Sequence, residues 1–252
     1  MSKKRQEEQY SRDDLVLKRG MLWAAGAVVL EVLLFLVNRY AFDIDATAEG
    51  VAIAEALRAV LRVLRLAGAA ACVLGVVLFV MQQMKKSGKG IWAAVAFAAG
   101  TVVMVCAHVA VKYQAAGMRM LYLLVPAMAG LAVSYYVYQR EFFVAALSTV
   151  LAVLGLWFVR VGGMGAEVIA TVLFCVAVLV AVLKLKKGNG CLKAFCLMPE
   201  KTNYTMVLGS CAAAIAVQLL AVVAGSAVAY YLLYAMAAWL FALLVYYTVK
   251  ML

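Results

Sequence analysis

The chain has 252 residues, of which 68% are hydrophobic and 14% charged, and its mean hydropathy is +1.02. Soluble domains run roughly 45–50% apolar and about 25% charged, so water cannot be the main solvent and lipid must surround most of this chain. The net charge of +11 does not mark a nucleic-acid binder, because Lys and Arg sit in short tracts beside apolar runs rather than on one basic face.

Residues 1–19 are polar and mixed in charge (KKR, EE, RDD, KR) and read as a cytoplasmic tail. A helix is expected from Ser11, with Ser11 as its cap and Asp13 and Asp14 in its first turn. The run from Gly20 to Val37, GMLWAAGAVVLEVLLFLV, is apolar except for Glu31. No small-residue cleavage site follows it, so it reads as a retained span rather than a signal peptide. A hydrocarbon layer of ~30 Å takes about 20 helical residues. That ruler places spans at 21–40, 64–84, 91–111, 118–138, 142–160, 167–185, 206–224 and 227–249, all within a single transmembrane bundle over 20–252. Continuous apolar runs without period-two alternation exclude a barrel. The expected fold is therefore all-α: a polytopic membrane bundle of about eight helices. The chain should break at KKSGKG (85–90), GGMG (162–165) and AGS (224–226), and turn within VKYQAAGM (111–118).

Two connections are longer. After the first span, ATAEGVAIAEALRAVLRVLRLAG spaces Glu55, Arg58, Arg62 and Arg65 along one helical stripe. The expectation is an extracytoplasmic amphipathic helix, or an outward extension of the second span. Its arginines would snorkel to lipid headgroups or meet a partner. A voltage sensor is disfavoured, since only three arginines are present and they bunch at one end. The second connection, 186–205, is a glycine- and polar-rich loop whose CLKAFCLM patch could touch the membrane surface or a partner. Lys and Arg split 16 to 7 between the two sides, which puts both termini in the cytoplasm of a cell membrane, in the manner of a bacterial inner membrane. Hairpins at 91–140, 142–187 and 204–250 share a rhythm. Either internal duplication or short-looped threading produces it.

Ionisable groups inside a membrane are costly and are candidates for function. Glu31 sits near mid-span with Ala27 and Ala24 one and two turns before it, so it should face the bundle, with a neutral carboxyl unless a cation reaches it. Thr101, His108 and Lys112 form a polar stripe on the third span, and Ser210 and Gln218 share a face of the seventh. Together these residues outline a candidate polar cavity or ion-coupling site. Arg58, Arg62 and Arg65 are the candidate membrane-interface or partner contacts. Arg160 and Glu167 flank one short turn and are placed to pair there. The tyrosines near span ends fit an interfacial belt, and Pro126 should kink the fourth span.

No catalytic set, metal site or cofactor is expected: there is one His, no Asp lies within a span, and no HExxH, GxSxG or nucleotide loop occurs. The free cysteines in apolar runs pack as small hydrophobes. What remains is a small transporter or channel with a polar cavity around Glu31 or, alternatively, a non-catalytic membrane subunit that packs against or regulates a partner membrane protein. The expected company is the lipid bilayer, with a partner membrane protein or a second copy of the chain, and not nucleic acid.

Overall fold

The computed structural model describes residues 3–43, 48–84, 90–137, 140–187, 191–192, 195–196 and 204–251. Among the described residues the chain is helical apart from short turns and one two-residue ladder. Its elements are α1 (Lys3–Ala41), α2 (Ala48–Met84), α3 (Gly90–Val137), α4 (Arg140–Gly162), α5 (Ala166–Lys187), β1 (Cys191–Leu192), β2 (Phe195–Cys196), α6 (Tyr204–Ala224) and α7 (Ser226–Met251). All seven helices are long and apolar enough to cross a membrane, so this is a multi-pass helical membrane protein.

The glycine breaks form where backbone chemistry demands them. α4 ends at Gly162, and Gly163 follows in the left-handed region (φ 67°), its N–H donating to the Val159 carbonyl at 3.2 Å. Gly225 repeats the device between α6 and α7, with φ 89° and an N–H bonded to the Ala221 carbonyl at 2.9 Å. In both places glycine closes a helix with a conformation that a Cβ would resist.

α3 has 48 residues, which as a straight rod would be about 72 Å long, over twice the hydrocarbon thickness. It is two helical stretches joined at Gln114, whose φ of 47° and ψ of −126° are not helical. The chain reverses there. A Cβ on Gly117 would strike the carbonyl of Val109, eight positions back, a separation that a continuous helix makes about 12 Å. The turn expected within 111–118 coincides with this non-helical residue, and seven helices are long and apolar enough to cross a membrane. Through Pro126 α3 stays helical, and its one non-helical residue is Gln114.

Two expectations change. The arginine-bearing segment is no separate amphipathic helix: α2 runs unbroken from Ala48, so that segment is the second span's extension. Ser11 is not a cap, because α1 already begins at Lys3. The predicted break at 85–90 falls largely outside the described residues. So does most of the CLKAFCLM patch, of which only the backbone pairs Cys191–Cys196 and Leu192–Phe195 are described.

The chain forms two compact units, Met1–Ala24 with Met128–Leu252, and Ala25–Ala127. In the first, α4 is central and packs against α5, α6 and α7. Small residues make this possible: Ala145, Ala146, Ala152 and Gly155 of α4 are buried, which lets neighbouring backbones close in where no hydrophobic effect drives them together. Phe142, Leu131, Leu243 and Tyr247 fill one end of this core, and Val182, Val207 and Cys211 fill another layer.

In the second unit, α2 meets the first half of α3 along a seam of the same kind. A Cβ on Gly68 would come within 2.8 Å of the Met104 nitrogen, one on Gly75 within 2.8 Å of Phe97, and one on Gly100 within 3.0 Å of Ala71 and Cys72. The packed stripe of α2 runs Ala54, Arg58, Leu61, Arg65, Gly68, Cys72, Gly75, alternating steps of four and three as a helix–helix seam requires. Arg58 and Arg65 thus lie in the seam, half-buried, while Arg62 is exposed.

Candidate functional site

Glu31 lies on the packed side of α1. Ala27, Leu30, Glu31, Leu34, Val37, Asn38 and Ala41 are buried or half-buried, whereas Val28, Val29, Val32, Leu33 and Phe35 are exposed. The spacing is that of one helical face. One carboxyl oxygen of Glu31 is enclosed and has no hydrogen-bond partner among the described residues. Its polar neighbour is Tyr122, close enough to feel the carboxylate charge, yet the Tyr122 hydroxyl donates to the Leu34 carbonyl at 3.3 Å. A mid-membrane acid with an unanswered oxygen is expensive, which makes Glu31 the chemically unfinished group of this unit.

The other candidates in the same unit have different duties. Thr101 is half-buried in the α2–α3 seam. Its hydroxyl donates to the Phe97 carbonyl at 2.8 Å, and the Cys72 sulfur lies 2.9 Å from the same oxygen. With the hydroxyl proton already committed, the thiol is the donor in that second contact. His108 is half-buried, whereas Lys112 is exposed with its ammonium 5.3 Å from the Tyr113 ring centre.

Where α1 ends, its last carbonyls need partners. The Asn38 carbonyl accepts from the N–H groups of Phe42 and Asp43 at 3.1 and 3.0 Å. The Ala41 carbonyl accepts from Arg58 Nε at 3.1 Å, and the Arg58 guanidinium lies 5.6 Å from the Phe42 ring centre. Arg62 Nε donates to the Arg58 carbonyl at 3.4 Å. Phe42, Arg58, Leu61, Arg62, Val111 and Gln114 enclose a hollow of about 150 Å³. Arg58 is thus a helix cap as well as a surface cation, a role its spacing alone did not reveal. Arg65 sits on the same stripe, one turn beyond Leu61.

Ser210 and Gln218 belong to the other unit, and there they are sealed: both are 0% exposed. Ser210 donates to the Met206 carbonyl of its own helix at 2.9 Å. Gln218 Nε2 donates to the Cys175 sulfur at 3.2 Å. Buried beside them are Ser148 and Thr149, both bonded to the Ala145 carbonyl, and Thr171, bonded to the Val168 carbonyl. Gly155 makes the room, since a Cβ there would come within 2.5 Å of Gln218 Oε1 and 2.8 Å of Thr171 Oγ1. This is a polar core of α4, α5 and α6, hydrogen-bonded mainly to local backbone. It has the character of helix-to-helix glue rather than of a wet cavity.

Two charged contacts in this unit escaped the sequence reading. Glu141, at the start of α4, is 2% exposed and accepts from Lys250 Nζ of α7 at 3.2 Å. Glu31 is therefore not the only enclosed carboxylate. At the other end of the same two helices, the Arg160 guanidinium stacks 4.2 Å from the Tyr230 ring centre, and Tyr234 donates to Tyr230 at 3.1 Å. The charge pair and the stacked pair join α4 to α7 at both ends.

Among the described residues no group of His, Cys, Asp and Glu is placed to hold a metal ion. No family model, no curated protein and no solved structure matches the chain.

Proposed function

We propose that this protein is a non-catalytic membrane subunit whose task is to pack against a partner membrane protein. Both termini would lie in the cytoplasm. The observation that carries this reading is the unanswered carboxyl oxygen of Glu31 on the packed stripe of α1. The oxygen is enclosed by the chain's own packed side, so a partner helix reaches it only if α1 shifts on assembly; a donor from that helix would then satisfy it, and in hydrocarbon such a bond also fixes which helix is chosen. The polar core around Gln218 is sealed within its own unit, with the Gln218 amide nitrogen bonded to Cys175, so it offers no open cavity for a solute, although Gln218 Oε1 has no hydrogen-bond partner among the described residues.

The second reading is a small transporter or channel in which Glu31 couples to a proton or cation. The Tyr122 hydroxyl beside Glu31 favours it, as does the mid-span position of an acid. One pair of measurements separates the two. The chain is purified in mild detergent with whatever co-purifies, and separately reconstituted alone in liposomes. The subunit reading expects a co-purifying membrane protein that is retained by Glu31→Gln, whose amide still bonds, and lost in Glu31→Leu. It also expects no ion flux from the pure protein. Flux that Glu31→Gln abolishes, with no partner captured, would overturn it in favour of transport.

A further inference from the structure

We propose that the hollow at the end of α1 is a binding site for a phosphate group, held by Arg58 and Arg62. The claim concerns the Ala25–Ala127 unit alone and does not depend on the role of Glu31.

Two guanidiniums stand one helical turn apart at its wall, and both are oriented by bonds that use only their Nε. Arg58 gives Nε to the Ala41 carbonyl and rests on Phe42; Arg62 gives Nε to the Arg58 carbonyl. Among the described residues no partner takes the outer N–H groups of either fork, and a forked donor is the geometry that matches phosphate oxygens. Like charges one turn apart repel, and an anion between them removes that repulsion. Among the described residues the nearby acids do not neutralise the pair. Asp43 is bound to Arg39 at 3.3 Å, and Glu55 is exposed without an ion pair among the described residues. The hollow, at about 150 Å³, admits a tetrahedral phosphate group.

Its far wall is the strained residue of the chain. Gln114 holds φ 47° and ψ −126°, a conformation that a non-glycine residue keeps only when its surroundings impose it, and such strain gathers at ligand sites. The depth also fits. α1 and the first span of α3 both end here, at the level where a span leaves hydrocarbon and meets headgroups. The shared chemistry is a phosphate ester or phosphate ion; the source is either a lipid headgroup or a free phosphate.

The test uses the full chain in mild detergent, wild type beside Arg62→Gln and Arg58→Lys. Arg62 is exposed and bonds only its own helix, so its glutamine variant should fold; Arg58→Lys keeps the charge and loses the fork. Native mass spectrometry counts bound phosphatidylglycerol, and thermal unfolding is followed with and without millimolar inorganic phosphate. The proposal expects phosphatidylglycerol adducts to fall roughly tenfold in Arg62→Gln and partly in Arg58→Lys, which identifies a headgroup. Alternatively, it expects a phosphate-induced rise in melting temperature in wild type that Arg62→Gln lacks, which identifies a free phosphate. Equal adducts in wild type and Arg62→Gln, together with no phosphate-dependent shift in either, overturn it. Should Arg62→Gln fail to fold, Arg62→Lys replaces it, with an intermediate loss expected and wild-type binding overturning the claim.

Discussion

Gly155→Ala probes the sealed polar core most sharply. Alanine gains up to about 1 kcal/mol of helix propensity over glycine, so the substitution helps unless space forbids it. Here space forbids it. The new Cβ would sit 2.5 Å from Gln218 Oε1 and 2.8 Å from Thr171 Oγ1. Neither neighbour retreats easily: Gln218 is 0% exposed, with its amide nitrogen bound to Cys175, and Thr171 Oγ1 is held by the Val168 carbonyl at 2.9 Å. Overpacking of this kind costs about 1–3 kcal/mol. Gly209→Ala is the control, because a Cβ on Gly209, in α6 of the same unit, meets nothing within 4 Å. Reversible unfolding in mixed micelles should therefore place Gly155→Ala about 1–3 kcal/mol below Gly209→Ala. Gln218→Ala alone should lose the Cys175 bond, about 0.6–2 kcal/mol. The double variant should be less destabilised than the sum by at least about 0.5 kcal/mol, since the closest clash has been removed. Equal stability of Gly155→Ala and Gly209→Ala, or simple additivity with Gln218→Ala, would refute the reasoning.

Three other outcomes follow from the same geometry. Gln114→Gly should raise stability by about 1 kcal/mol, because glycine adopts a positive φ freely; a loss in the same unfolding assay would mean that the side chain, not the turn, governs the site. Lys250→Met should leave the Glu141 carboxylate enclosed without its cation and cost about 1–3 kcal/mol. Adding Glu141→Gln should recover part of that cost, and a neutral Lys250→Met would deny the pair any role. Thr101→Val should loosen the α2–α3 seam by about 0.6–2 kcal/mol, read as faster proteolysis within Ala25–Ala127.

The sequence carried the architecture well wherever one residue or one length decides the matter. Gly163 and Gly225 end helices through their own backbone freedom, so the breaks at GGMG and AGS are legible letter by letter. The turn near Gln114 followed from the span-length ruler, yet the strained position is a glutamine and not the glycine three residues on. Gly117 is reserved for close approach to Val109, which only the folded hairpin reveals. Glu31 stood out as an acid in an apolar run. Glu141 did not, because beside Arg140 it resembles any interfacial acid, and its partner Lys250 lies over a hundred residues away. Gln218 was visible as a polar residue, but its confinement comes from Gly155 and Cys175 on two other helices. Arg58 and Arg62 read as headgroup anchors, whereas the hollow between them needs Phe42 and Gln114, brought together by two separate chain reversals.

The seam along α2, the arginine hollow and the eight-span threading all require the chain to turn back at Gln114. Single cysteines at Gln114, Gly163, Gly225 and Lys187, in a background lacking the native cysteines, can be labelled in intact cells with a reagent that does not cross membranes. Labelling at the first three positions and protection at Lys187 is the expected pattern. A residue 114 that reacts only after permeabilisation, on the side of Lys187, or that stays unreactive within lipid, would contradict it.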